Sequence, residues 1–84
     1  MYLHIGEDIL VKTDEVIAIL DKQILQSSFI MREFLDRKKE MTVNLAKGSI
    51  KSIVVTNKHI YYSPLASVTL KKRSQQKTIL INGS

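Results

Sequence analysis

The sequence contains no cysteine, which excludes disulfides and thiolate zinc sites. None of its apolar runs approaches the roughly 18–20 residues that span a bilayer. The N-terminus, Met1-Tyr2-Leu3-His4-Ile5-Gly6-Glu7-Asp8, has neither a basic leader nor a long apolar stretch, so it predicts no signal peptide and a cytoplasmic protein. Glycine is scarce, and Gly6, Gly48 and Gly83 stand alone, which rules out a Gly-rich phosphate loop. No nucleophile elbow is present either. Acid is missing from the whole second half: residues 41–84 contain neither Asp nor Glu.

What remains is an ordinary globular composition. Apolar residues make up 44% and charged residues 25% of the 84-residue chain, enough for one domain and too little for two. A core this thin leans on disulfides, metals or oligomerisation, and without cysteine the last is the most available support. The chain cannot both build that core and enclose a deep cleft, which argues against an enzyme.

Charge is distributed unevenly. Residues 1–40 carry Lys12, Lys22, Arg32, Arg37, Lys38 and Lys39 against eight acids, a net −2. Residues 41–84 carry Lys47, Lys51, Lys58, Lys71, Lys72, Arg73 and Lys77, a net +7 within a total of +5. An acid-free half reads as a surface for a polyanion.

Apolar periodicity predicts a β-β-β-α-β-β-β-α order, an α+β fold with an antiparallel-rich sheet and two helices. Leu3 and Ile5 alternate with Tyr2 and His4, Ile9-Leu10-Val11 follows a turn, and Val16-Ile17-Ala18-Ile19-Leu20 is a β-branched run suited to a central strand. From Phe29 the spacing changes to Ile30/Phe34 and Met31/Leu35, one face of a helix that Ser28 can cap. Met41, Val43 and Leu45 return to period two. Ala46-Lys47-Gly48-Ser49 is a turn in which Gly48 is free to take positive φ. Strands then follow at Ile50–Thr56 and Ile60–Tyr62. Ser63-Pro64 predicts the start of the second helix, with Lys71-Lys72-Arg73 in its last turn. Residues 1–73 form the predicted domain, and 74–84 a C-terminal tail or short extra strand.

His4 and His59 match no metal-ligand spacing, and Glu7-Asp8 and Asp14-Glu15 are adjacent acids of ordinary turns. No catalytic, metal or cofactor-binding residue is therefore assigned. Lys47, Lys51, Lys58, Lys71, Lys72 and Arg73 lie in turns or at a helix end, where phosphate contacts are commonly made, and are the candidate nucleic-acid-binding set. Tyr61 and Tyr62 raise a further reading, base stacking on RNA, which requires at least one exposed ring.

The run Gly48-Ser49-Ile50-Lys51-Ser52-Ile53-Val54-Val55-Thr56, then His59-Ile60-Tyr61-Tyr62-Ser63-Pro64-Leu65 and Thr69-Leu70-Lys71-Lys72-Arg73, resembles the Rem family of small bacterial extracellular-matrix regulators, and is closest to its RemB branch. The resemblance extends from Tyr2 to Arg73, with Ser52–Arg73 carrying most of its specificity. It implies a cytoplasmic regulator of biofilm-matrix genes and, by similarity to the RemA branch, a DNA-binding ring of identical subunits. The chain departs from that branch at the arginine-rich turn after the glycine matched by Gly48, where it reads Ser49, Ile50, Lys51 and Ser52. A basic position before the third strand is here Glu15, beside Asp14. Arginines that grip phosphate bidentately are thus absent. Two functions follow: a homo-oligomeric regulator that binds the DNA backbone, or a protein-interaction module that partners a DNA-binding relative.

Overall fold

The computed structural model describes the backbone of residues 1–83 and the side chains of residues 1–75. It is an α+β domain in three layers. β1 (Tyr2–Gly6) and β2 (Ile9–Lys12) form an antiparallel hairpin. β3 (Val16–Asp21), β5 (Ser52–Thr56), β6 (Ile60–Ser63) and β4 (Thr42–Asn44) form a four-stranded sheet in the order β3-β5-β6-β4. Between β3 and β4 come α1 (Ile24–Ser27) and α2 (Phe29–Arg37), and α3 (Ser67–Gly83) closes the chain. Short 3-10 turns at Thr13–Glu15 and Lys39–Met41 lead into β3 and β4.

The sheet is apolar on both faces because β5, its most buried strand, sends alternate side chains to opposite sides. Val54 joins Leu3, Ile5, Val11, Leu45 and Leu70 under the hairpin and α3. Ile53 joins Leu35 and Ile60 under α1 and α2, with Leu20, Ile24, Leu25, Met31 and Tyr62 around them. Covering both faces thus takes the hairpin as well as the helices. Ser28 caps α2 as its sequence position suggests, its Oγ accepting from Met31 N at 3.1 Å.

The structure revises the sequence reading in several places. The stretch before Ser28 folds into the additional short helix α1, making three helices among the described residues. The sheet is antiparallel-rich as read, β3-β5 and β5-β6 being antiparallel, with the addition that β4 pairs with β6 in parallel. Ser63 ends β6 instead of capping a helix, and α3 begins at Ser67. The reason is tertiary: the fully buried Ser63 hydroxyl donates to the Ile5 carbonyl of β1 and accepts from Leu65 N at 3.0 Å. Residues 74–83, read as a tail or short strand, continue α3. No Pro or Gly interrupts the sequence from Leu65 to Asn82, and a helix pairs its own backbone without a sheet edge.

Positive φ falls at Gly6 (+144°), not at Gly48. A Cβ on Gly6 would lie 2.8 Å from Pro64 Cδ and 3.5 Å from Leu45 Cβ, whereas a Cβ on Gly48 would meet nothing within 4 Å. The hairpin turn is therefore where the fold needs glycine. Gly6→Ala is expected to lower unfolding free energy by about 1–3 kcal/mol through strain and clash, and Gly48→Ala to leave it nearly unchanged. Urea denaturation of the two variants checks the contrast. Ser63→Ala, which leaves two backbone groups without their buried partner, is expected to cost about 1–3 kcal/mol by the same measurement.

Candidate nucleic-acid interface

The six cations named from the sequence do not form one cluster. Lys58 lies in the β5–β6 turn, which Thr56 closes: its Oγ1 donates to the His59 carbonyl at 2.7 Å and accepts from His59 N at 2.9 Å. That turn places Lys58 Nζ 3.4 Å from Glu15 Oε2, a carboxylate only 26% exposed. Lys58 is therefore partly neutralised by Glu15.

Lys47 and Lys51 sit at the other end of the sheet. The chain leaves β4 at Asn44 and re-enters at Ser52, so the loop between them projects beyond the Asp21–Ser52–Ser63 end of the ladder. The length of β5, about 17 Å at 3.4 Å per residue, separates this end from Lys58. Both lysines are exposed, and Lys51 is anchored through its backbone, with its N–H donating to the Ser63 carbonyl at 2.9 Å.

Lys71, Lys72 and Arg73 are exposed on α3. Because α3 continues to Gly83, they lie within the helix and not in its last turn, so no helix-end dipole acts on them. Their orientation follows from Leu70, fully buried against the hairpin, and from Ser67, also buried. With 67, 70 and 74 facing inward, positions 68, 71, 72 and 75 make the outward face. Arg73 lies to one side, its Nη1 3.5 Å from the His4 carbonyl.

One further cation comes close to the loop before β5 through its backbone. Lys22 follows β3, and its N–H donates to the Lys51 carbonyl at 3.2 Å. It belongs to the acidic half of the sequence, and only the β3–β5 pairing brings it to Lys51.

The other candidate groups have structural settings. His4 Nε2 meets the Glu7 carbonyl, and the His59 ring lies 5.8 Å from that of Tyr61. Tyr61 and Tyr62 are each half-buried, packed against opposite cores, so neither ring is freely presented for stacking on a base. Among the described residues no three His, Cys, Asp or Glu side chains gather as metal ligands. A shallow depression beside α2 is lined by Leu25, Arg32, Leu35, Asp36, Lys39 and Tyr62, with Lys39 Nζ 3.4 Å from Asp36 Oδ1. Among the described residues no helix is long and apolar enough to cross a membrane.

Lys58 is exposed and only weakly held by Glu15, so Lys58→Ala is expected to change unfolding free energy by less than about 0.5 kcal/mol. Thermal unfolding of the variant beside the parent checks it.

Comparison with known proteins identifies the family. The RemA-like family, described as extracellular matrix regulatory protein A-like, matches residues 2–73, which include both sheets and the start of α3. Extracellular matrix regulatory protein B of Bacillus subtilis (strain 168) is 48% identical over 75 residues, covering 89% of this chain and 91% of its own. With a match across nearly the whole described domain, the chain belongs to the RemA-like family of extracellular matrix regulatory proteins.

Proposed function

We propose that this protein is a non-enzymatic, cytoplasmic regulator of extracellular-matrix (biofilm) genes that acts as a homo-oligomeric ring on the DNA backbone. The observation that carries the reading is the absence of any carboxylate from residues 41–84, whose cations at Lys47, Lys51, Lys71, Lys72 and Arg73 are all exposed. Membership of a family named for matrix regulation supports the regulatory role. A ring multiplies the +5 charge of each chain into a continuous basic surface, which holds curved DNA through phosphates with little base readout. In this chain lysines supply most of the affinity, because Ser49, Ile50, Lys51 and Ser52 stand where DNA-binding relatives carry an arginine-rich turn. Lys58 contributes least, being at the opposite end of the sheet and paired with Glu15.

A second reading has its own observation. On α2, Phe29, Ile30 and Phe34 are 64%, 79% and 39% exposed, an apolar surface of the kind that marks protein contacts. This supports a protein-interaction module that partners a DNA-binding relative, with the basic half serving solubility or an acidic partner.

Binding of the purified protein to labelled duplex DNA across a salt series separates the two. Each phosphate neutralised steepens the log–log slope by roughly 0.9. The DNA reading expects a slope of several units from an oligomer whose size is set by mass measurement. Lys71→Ala/Lys72→Ala/Arg73→Ala is expected to weaken binding at least 10-fold and to flatten the slope by about 2. An intact oligomer that binds no DNA at low salt would favour the partner-protein reading.

A further inference from the structure

We propose that the depression beside α2 is a binding site for a small organic acid, whose carboxylate is held by Arg32 while its apolar body lies on Leu25, Leu35 and Tyr62. The inference goes beyond the DNA reading and does not depend on it.

The walls come from three elements, each fixed in its own way. Tyr62 lies in β6, paired with Ile53 of β5 on one side and Asn44 of β4 on the other, and its carbonyl accepts from Leu45 N at 2.8 Å. Leu35, 3% exposed, is the buried residue of α2, the helix that Ser28 caps. Leu25 comes from α1 and packs against the same core. The depression is therefore pre-formed, with a volume of about 250 Å³. At roughly 30 Å³ per water this is the space of about eight waters, enough for a single-ring acid. A pre-formed concavity with an apolar floor and few polar groups is the common form of a small-molecule site, and this one falls at the small end of the range.

Arg32 gives the site its sign. Its guanidinium carbon lies 5.9 Å from the centre of the Phe29 ring, a cation–π contact that orients the group without supplying an acceptor for its N–H donors. Among the described residues Arg32 makes no ion pair and no side-chain hydrogen bond. Lys39 and Asp36, 3.4 Å apart, largely offset each other at the rim, so the unanswered charge of the site is that of Arg32. The Tyr62 hydroxyl, which makes no hydrogen bond among the described residues, is a further donor. An inorganic anion would answer Arg32 and leave the apolar floor wet. A neutral apolar ligand would cover the floor and leave the guanidinium unpaired. A carboxylate on an apolar body satisfies both, because it takes the guanidinium fork through two oxygens.

The probe is phenylacetate, titrated into the full chain and followed by backbone amide NMR shifts, with phenylacetamide as its neutral isostere. Saturable shifts are expected at Leu25, Arg32, Leu35 and Tyr62, with a Kd on the order of 1 mM for so small a ligand. The amide is expected to bind at least about 5-fold more weakly. Arg32 and Asp36 are exposed, so their variants are read in the folded protein, as the same spectra verify. Arg32→Gln is expected to weaken phenylacetate about 5-fold and leave phenylacetamide unchanged, with Arg32→Lys between parent and Gln because it keeps the charge and loses the fork. Asp36→Asn, which removes the acid at the rim and releases Lys39, is expected to tighten phenylacetate about 2–3-fold. Equal affinity for acid and amide, or unchanged phenylacetate binding by Arg32→Gln, overturns the site. Weaker binding by Asp36→Asn overturns the charge arrangement on which it rests. Shifts that do not saturate by about 20 mM, or that gather on α3 or the hairpin, also overturn it and leave the depression to a protein contact along α2. None of these outcomes alters the salt-series result, so the site and the DNA reading stand or fall separately.

Discussion

Two buried serine hydroxyls hold the layers of this protein in register. Ser52 and Ser63 face each other across β5 and β6, both with no exposed surface. Ser52 donates to the Leu65 carbonyl at 2.7 Å, and Ser63 donates to the Ile5 carbonyl while accepting from Leu65 N. A buried hydroxyl without a partner would destabilise the fold by a large fraction of its total stability. Here the hydroxyls instead tie one face of the sheet both to the hairpin and to the turn before α3. Pro64 is thereby set against Gly6, Leu70 reaches the core under the hairpin, and the outward face of α3 is fixed with Lys71 and Lys72 upon it.

That geometry shapes the functional surface. The domain is small, and its two sheet faces are consumed by packing, one under the hairpin and α3 and the other under α1 and α2. Charge is left to the ends of the sheet and the outer face of a helix. The two ends differ. At one, Glu15 meets Lys58; at the other, Lys22 and Lys51 stand together without an ion-pair partner among the described residues. A net charge of +5 therefore understates the polarity of the molecule, because the position of its acids leaves one end of the sheet the more cationic.

Much of the architecture was legible in the sequence. Period-two alternation in Leu3/Ile5 and the β-branched Ile53-Val54-Val55 mark strands because a half-buried or buried strand must alternate or saturate its apolar positions. Ser28 was readable as a cap because the capping bond is local, three residues long. Ser63 misled for the opposite reason. Its hydroxyl is committed 58 residues away in sequence, to Ile5, and no local pattern reports such a partner. The Gly48 turn was given a conformational role that belongs to Gly6, where contact with Pro64 decides the matter.

The sequence alone determined the α+β class, the succession of strands along the chain and the family, all of which depend on neighbouring residues or on the running pattern of the chain. It also determined that one half of the chain carries no acid. Tertiary structure decided which charged residues lie beside one another. Charge interactions fall off over a few ångströms in space and take no account of chain separation. The β3–β5 pairing joins Lys22 to Lys51, and the turn after β5 joins Lys58 to Glu15, across 29 and 43 positions of sequence respectively. Only folding brings those distances down to contact.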